Sequence, residues 1–67
     1  MKEFLEKHGF KTFADNLNFV RGDLRIELRA DTIMIYKYKN NVLVKTWHIS
    51  KYDSSDKIRQ QILKVIG

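Results

Sequence analysis

The cations of this chain are its most informative side chains. Lysine and arginine outnumber aspartate and glutamate by thirteen to eight, for a net charge of +5. Lys37, Lys39, Lys45 and Lys51 fall in a window from Thr32 to Tyr52 that holds no acidic residue. Clustered lysines attract phosphates by Coulomb interaction and by release of condensed counterions, so the bias points to acidic partners, chiefly nucleic acid. The groups needed for catalysis are sparse. His8 and His48 are far apart and neither has a Cys, His or carboxylate at metal-ligand spacing, while the absence of cysteine removes thiolate ligands and disulfides. Asp53 and Asp56 suit the start of a helix better than acid-base work, and Asp15, Asp23 and Asp31 suit turns. Ser54 and Ser55 have no histidine implied nearby, and Gly9, Gly22 and Gly67 form no phosphate-cradling loop. A chain of 67 residues has little volume to spare for a water-excluding pocket. The expectation is a protein without catalysis, metal, cofactor or small-molecule substrate.

The lysines need an element to position them, and the stretch from Thr32 to Ser50 supplies it. Two runs of β-branched and aromatic residues flank Asn40-Asn41, and asparagine tolerates the positive φ of both central positions of a type I′ turn. A second hairpin is predicted around Gly22-Asp23, with Phe19 opposite Ile26, Leu17 opposite Leu28 and Leu24 on the same face. The Arg21-Gly22-Asp23 triplet, a tripeptide that integrins recognise in extracellular proteins, reads here as turn chemistry. A short helix from Lys2 to His8 should stop at Gly9, with Phe10 touching Leu5 in a Schellman motif. Phe10, Phe13, Ala14 and Leu17 have the spacing of a further helical turn, but Asp15-Asn16 is an equal turn signal. After Asp53 or Ser54 as N-cap, Ile58, Ile62, Val65 and Ile66 form the apolar stripe of a closing helix.

The Arg29-Ala30-Asp31 connection decides which face of the second hairpin is buried, because a slip of one residue turns every side chain over. An odd-length loop with Asp31 in the left-handed region pairs Leu28 with Thr32. The core face is then Leu24, Ile26, Leu28, Met34, Tyr36, Tyr38, Leu43, Trp47 and Ile49, with Lys45 on an edge strand lifting its ammonium to water. An even-length loop buries Ile33, Ile35, Val42 and Val44 and leaves the aromatics outside. The odd loop is the expectation, since Ala30 is a poor residue for the positive φ of a two-residue turn and Trp47 offers the largest apolar area.

The architecture expected is one α+β domain spanning residues 1–67. It has an N-terminal helix, an antiparallel β-meander of three to four strands and a C-terminal helix, both helices packed on one face of the sheet. In size and element order this resembles the double-stranded-RNA-binding domain. Of that family's lysine cluster only Lys57 and Arg59 have a counterpart, and its Gly-Pro-x-His loop is missing, so the resemblance is one of topology and carries no site over. The open face in the odd register bears Arg25, Arg29, Ile33, Ile35, Val44 and Thr46, an aliphatic centre with a basic margin. The function expected first is therefore a small non-enzymatic interaction or regulatory protein. It would contact a protein partner, or a second copy as a homodimer, through the sheet face or edge. The alternative is a nucleic-acid-binding protein that uses Lys37, Lys39 and Lys45 around the Asn40-Asn41 hairpin. Exposed Tyr36, Tyr38 and Trp47 would favour the alternative, and only the even register exposes them. No apolar run approaches a membrane span and no signal-peptide pattern is present, so a complete, soluble, cytoplasmic product without membrane contact is expected.

Overall fold

A computed structural model describes residues 1–13 and 15–67. The order of elements is α1 (Lys2–Lys7), β1 (Lys11–Thr12), β2 (Asn18–Arg21), β3 (Leu24–Leu28), β4 (Thr32–Lys39), β5 (Val42–Ser50) and α2 (Ser55–Ile66). The five strands form one antiparallel sheet in the order β1-β2-β3-β4-β5, one strand more than the sequence pattern indicates. The additional strand is β1, whose two residues pair with Val20 and Phe19. Too short to show a period, it replaces the further helical turn considered for Phe10 to Leu17. There the chain turns instead, with Asn16 at φ 55° and the Asp15 carboxylate accepting the N–H groups of Leu17 and Asn18 at 2.9 and 3.2 Å. Ala14, which that helical reading included, lies outside the described residues. Among the described residues no helix is long and apolar enough to cross a membrane.

Local chemistry sets the turns as the residue types dictate. Asn40 and Asn41 have φ of 53° and 64° between the paired residues Lys39 and Val42, a two-residue turn with positive φ at both centres. Gly22 supplies the positive φ between Arg21 and Leu24. At the end of α1, Phe10 N–H donates to the Leu5 carbonyl and Gly9 N–H to that of Glu6, both at 3.0 Å, with Gly9 at φ 87°. This is the Schellman pair, and it buries Leu5 and Phe10 together. Ser54 caps α2 by accepting the Lys57 N–H at 3.3 Å.

The connection before β4 is even in length, contrary to the expectation. Leu28 pairs with Ile33, and Arg29 N–H donates to the Thr32 carbonyl at 2.9 Å. Neither Ala30 nor Asp31 takes positive φ, so the steric objection to Ala30 does not apply. The residue after β5 braces the turn instead: Lys51 Nζ reaches the Arg29 carbonyl at 2.8 Å and Lys51 N–H the Asp31 carbonyl at 3.0 Å. Ile33 and Ile35, expected on the open face, are 1% and 0% exposed in the core. Met34, Tyr36 and Tyr38 consequently point to the face without helices.

Trp47 nonetheless faces the helices, half-buried against the core, because β5 is irregular. Lys37 pairs with Lys45 but Tyr38 pairs with Leu43, which leaves Val44 as an extra residue, a β-bulge. Below the bulge β5 turns Lys45, Trp47 and Ile49 to the same side as Ile33 and Ile35. Val42 and Val44, which the even register was expected to bury, are 62% and 53% exposed beyond the helices.

The core joins Ile26, Ile33, Ile35, Ile49 and Phe19 of the sheet to Leu5 and Phe10 and to Ile58, Ile62 and Ile66 of α2, so both helices cover one face. Helix α2 starts just past the end of β5 and finishes over β2. There Arg21 donates to the Ile66 carbonyl at 2.8 Å and to the His8 carbonyl at 2.9 Å, satisfying the C-terminal ends of both helices. With Ile35 at the centre of this layer, Ile35→Ala should cost about 2–5 kcal/mol in urea denaturation, and Ile35→Asp should abolish the cooperative transition. An Ile35→Asp chain that unfolds like wild type would place this residue outside the core.

Candidate functional site

Parity along β4 sorts its polar side chains onto two opposite surfaces. On the helix side Lys37 stands directly opposite Lys45, and Lys39 follows two positions along the same face. All three are exposed, because α2 slants from β5 toward β2 and leaves this end of the hairpin uncovered. The odd register places Lys37 and Lys39 on the open face and Lys45 on the other. The observed register and the bulge bring the three together. Lys45 Nζ lies 4.9 Å from the centre of the Trp47 ring, a cation–π contact that holds its stem down and its ammonium out. Directly opposed like charges destabilise a sheet, so this pairing is one the fold tolerates and does not need.

The hairpin end is rich in cations, whereas the opposite end mixes carboxylates with Arg29, Lys51, Lys57 and Arg59. The hairpin end carries Lys37, Lys39, Lys45 and Arg21, with Lys64 in the last turn of α2; Asp23 is the carboxylate of its adjoining turn. Asp15, Asp31, Asp53 and Asp56 lie toward the opposite end, before β2, before β4 and around the start of α2.

The open face presents a row of Val20, Arg25, Tyr36 and Thr46 across β2 to β5. Arg25 places its guanidinium 5.0 Å from the Tyr36 ring centre. Tyr36 hydroxyl donates to Glu27 Oε1 at 3.0 Å, and Arg29 Nε donates to the same oxygen at 2.9 Å. Of the residues proposed for partner contact, Arg25, Arg29 and Thr46 belong to this face. Val44 sits exposed at the bulge, and Ile33 and Ile35 lie in the core with nothing to offer a partner. Met34 is only 5% exposed, filling the space between β3 and β5 on this face without joining the main core. His48 is exposed opposite Met34, whereas His8 lies edge-on to Phe4 at 4.6 Å. The described residues hold no cluster of His, Cys, Asp or Glu fit to bind a metal.

Sequence reasoning missed the Glu27–Arg29–Tyr36 network and the inward Arg21. The first has a legible signal, since Arg25 and Glu27 alternate with the core residues Leu24, Ile26 and Leu28. Its partner Tyr36 is found only once the register is known. Hydrogen bonds from Arg29 first, and then from Tyr36, hold the Glu27 carboxyl below its ordinary value of 4.5. Burial first, and then the bond to Glu27, pushes the Tyr36 hydroxyl above its ordinary 10.0.

Because folding lowers the affinity of Glu27 for its proton, its stabilisation is complete above about pH 4.5 and is lost as pH falls through the lowered folded value. The difference in thermal midpoint between wild type and Glu27→Gln should therefore be largest near neutrality and shrink on acidification. A difference that stays constant down to about pH 3 would detach Glu27 from this network. The chain matches no protein-family model, no curated protein and no solved structure.

Proposed function

We propose that the protein binds nucleic acid through the end of the β4–β5 hairpin, as a non-enzymatic cytoplasmic protein that contacts phosphates more than base edges. The observation that carries this reading is the placement of Lys37 directly opposite Lys45, with Lys39 next on the same exposed face. Phosphate oxygens lodged between these ammonium groups turn a repulsive pair into a bridged one, and each neutralised phosphate releases counterions. The aliphatic patch that favoured a protein partner is reduced, because Ile33 and Ile35 are core residues. Tyr38, half-buried on the open face, adds aromatic surface of the kind that single-strand binders use.

Fluorescence anisotropy with labelled single-stranded and duplex oligonucleotides tests the reading. The double variant Lys37→Gln/Lys45→Gln should weaken binding to all sequences alike and flatten the salt dependence by about two counterions. Removal of the like-charge pair should leave thermal stability unchanged or raise it, by up to about 1 kcal/mol. Failure of wild type to bind any of these oligonucleotides at low salt would rule the function out.

A further inference from the structure

The open face ends, between the β2–β3 and β4–β5 turns, in a cleft of about 300 Å³ lined by Val20, Asp23, Leu24, Arg25, Tyr38 and Asn41. Neither Asp23 nor Arg25 forms an ion pair among the described residues, although both line the same cleft. Arg25 Nε is enclosed without an acceptor. Tyr36 braces the Arg25 guanidinium from one side, while the ring of Tyr38, next on the same face, has no aromatic or cationic partner among the described residues.

A ligand for this cleft needs a flat apolar body to lie on Tyr38 and against Val20, a polar edge for Asp23 and Asn41, and an anion for Arg25. A single nucleotide has all three, and a volume at the small end of ligand pockets takes one such unit. The base of an intact duplex is enclosed by its neighbours and cannot enter. The cleft and the lysines occupy opposite faces of one hairpin end, so a chain that touches both must bend over the Asn40-Asn41 turn. A flexible single strand does so, whereas duplex DNA is stiff over about 150 base pairs. We infer that the cleft receives one unpaired nucleotide of the nucleic acid whose backbone Lys37, Lys39 and Lys45 hold, which makes the protein selective for single-stranded or locally opened nucleic acid. This inference rests on the function proposed above.

Titration of adenosine and uridine monophosphates into the full chain, followed by backbone amide NMR, tests the cleft apart from the lysines. Saturable shifts are expected at Gly22, Asp23, Tyr38 and Asn41, and Tyr38→Ala or Arg25→Gln should weaken them roughly tenfold or more. In anisotropy, the same variants should lose single-strand affinity by a similar factor while duplex binding stays as in wild type. Tyr38→Leu and Arg25→Lys, with thermal midpoints measured alongside, separate loss of the site from loss of the fold. Absence of saturable shifts in the cleft, or saturation there by free amino acids in place of nucleotides, would overturn the inference. Equal single-strand and duplex affinities, both dependent on Lys37 and Lys45, would also overturn it and leave the proposed function standing. Nucleotides that saturate the cleft of a chain that binds no polymer would remove the proposed function, and the single-strand selectivity with it.

Discussion

The pleat parity of β4 is the constraint from which the rest of this structure follows. The strand lies between β3 and β5, so the choice of which alternate residues face the helices fixes both surfaces of the hairpin at once. The Arg29–Thr32 connection makes that choice by pairing Leu28 with Ile33. Two contacts from Lys51 close it, joining the residue after β5 to the turn before β4. The parity is thus held from outside the turn, by a strand that forms later in the sequence. With it, Ile33 and Ile35 complete the layer beneath α2, Tyr36 and Tyr38 emerge on the open face, and Lys37 and Lys39 project on the helix side.

The bulge at Val44 is the second constraint, and it resolves a conflict that parity alone would leave. In a regular ladder running out from the Asn40-Asn41 turn, Trp47 stands opposite Met34, so the isoleucines of β4 and the tryptophan of β5 face opposite ways. One extra residue in β5 rotates its lower half and lets Ile35 pair with Trp47 on the core side. The same rotation sets Lys45 opposite Lys37. Burial of Trp47 and assembly of the lysine cluster therefore share one cause, and the apolar gain in the lower half of the hairpin offsets the like-charge pair in its upper half.

How much was legible from the sequence divides along the same line. The Asn40-Asn41 turn, the Gly22-Asp23 turn, the Schellman stop at Gly9 and the Ser54 cap each depend on a few adjacent residues, and each forms as its residue types dictate. The face of β4 depends on residues distant in sequence. Ala30 argued against an even loop only if the turn needed positive φ, and the bracing by Lys51 makes a turn without positive φ sufficient. The bulge has no residue signature, since Val44 is as good a strand residue as its neighbours. The three lysines were identified as a group by the acid-free window, but their meeting on one face required both the parity and the bulge. The short β1 was invisible because two residues show no period.

A small domain has little stability to risk, and the placement of its strained charges reflects this. Arg21 is half-buried over Phe10 and satisfied by the ends of both helices, so this cation strengthens the packed layer. The opposed lysines stand instead beyond the reach of α2, at the far end of a hairpin anchored by Ile33, Ile35 and Ile49. Repulsion confined to a strand end is felt as local fraying and bears only weakly on the global transition. The same separation leaves at that end a positive charge that the packed layer does not use. The isoleucine anchor and the lysine cluster thus occupy opposite ends of the same two strands.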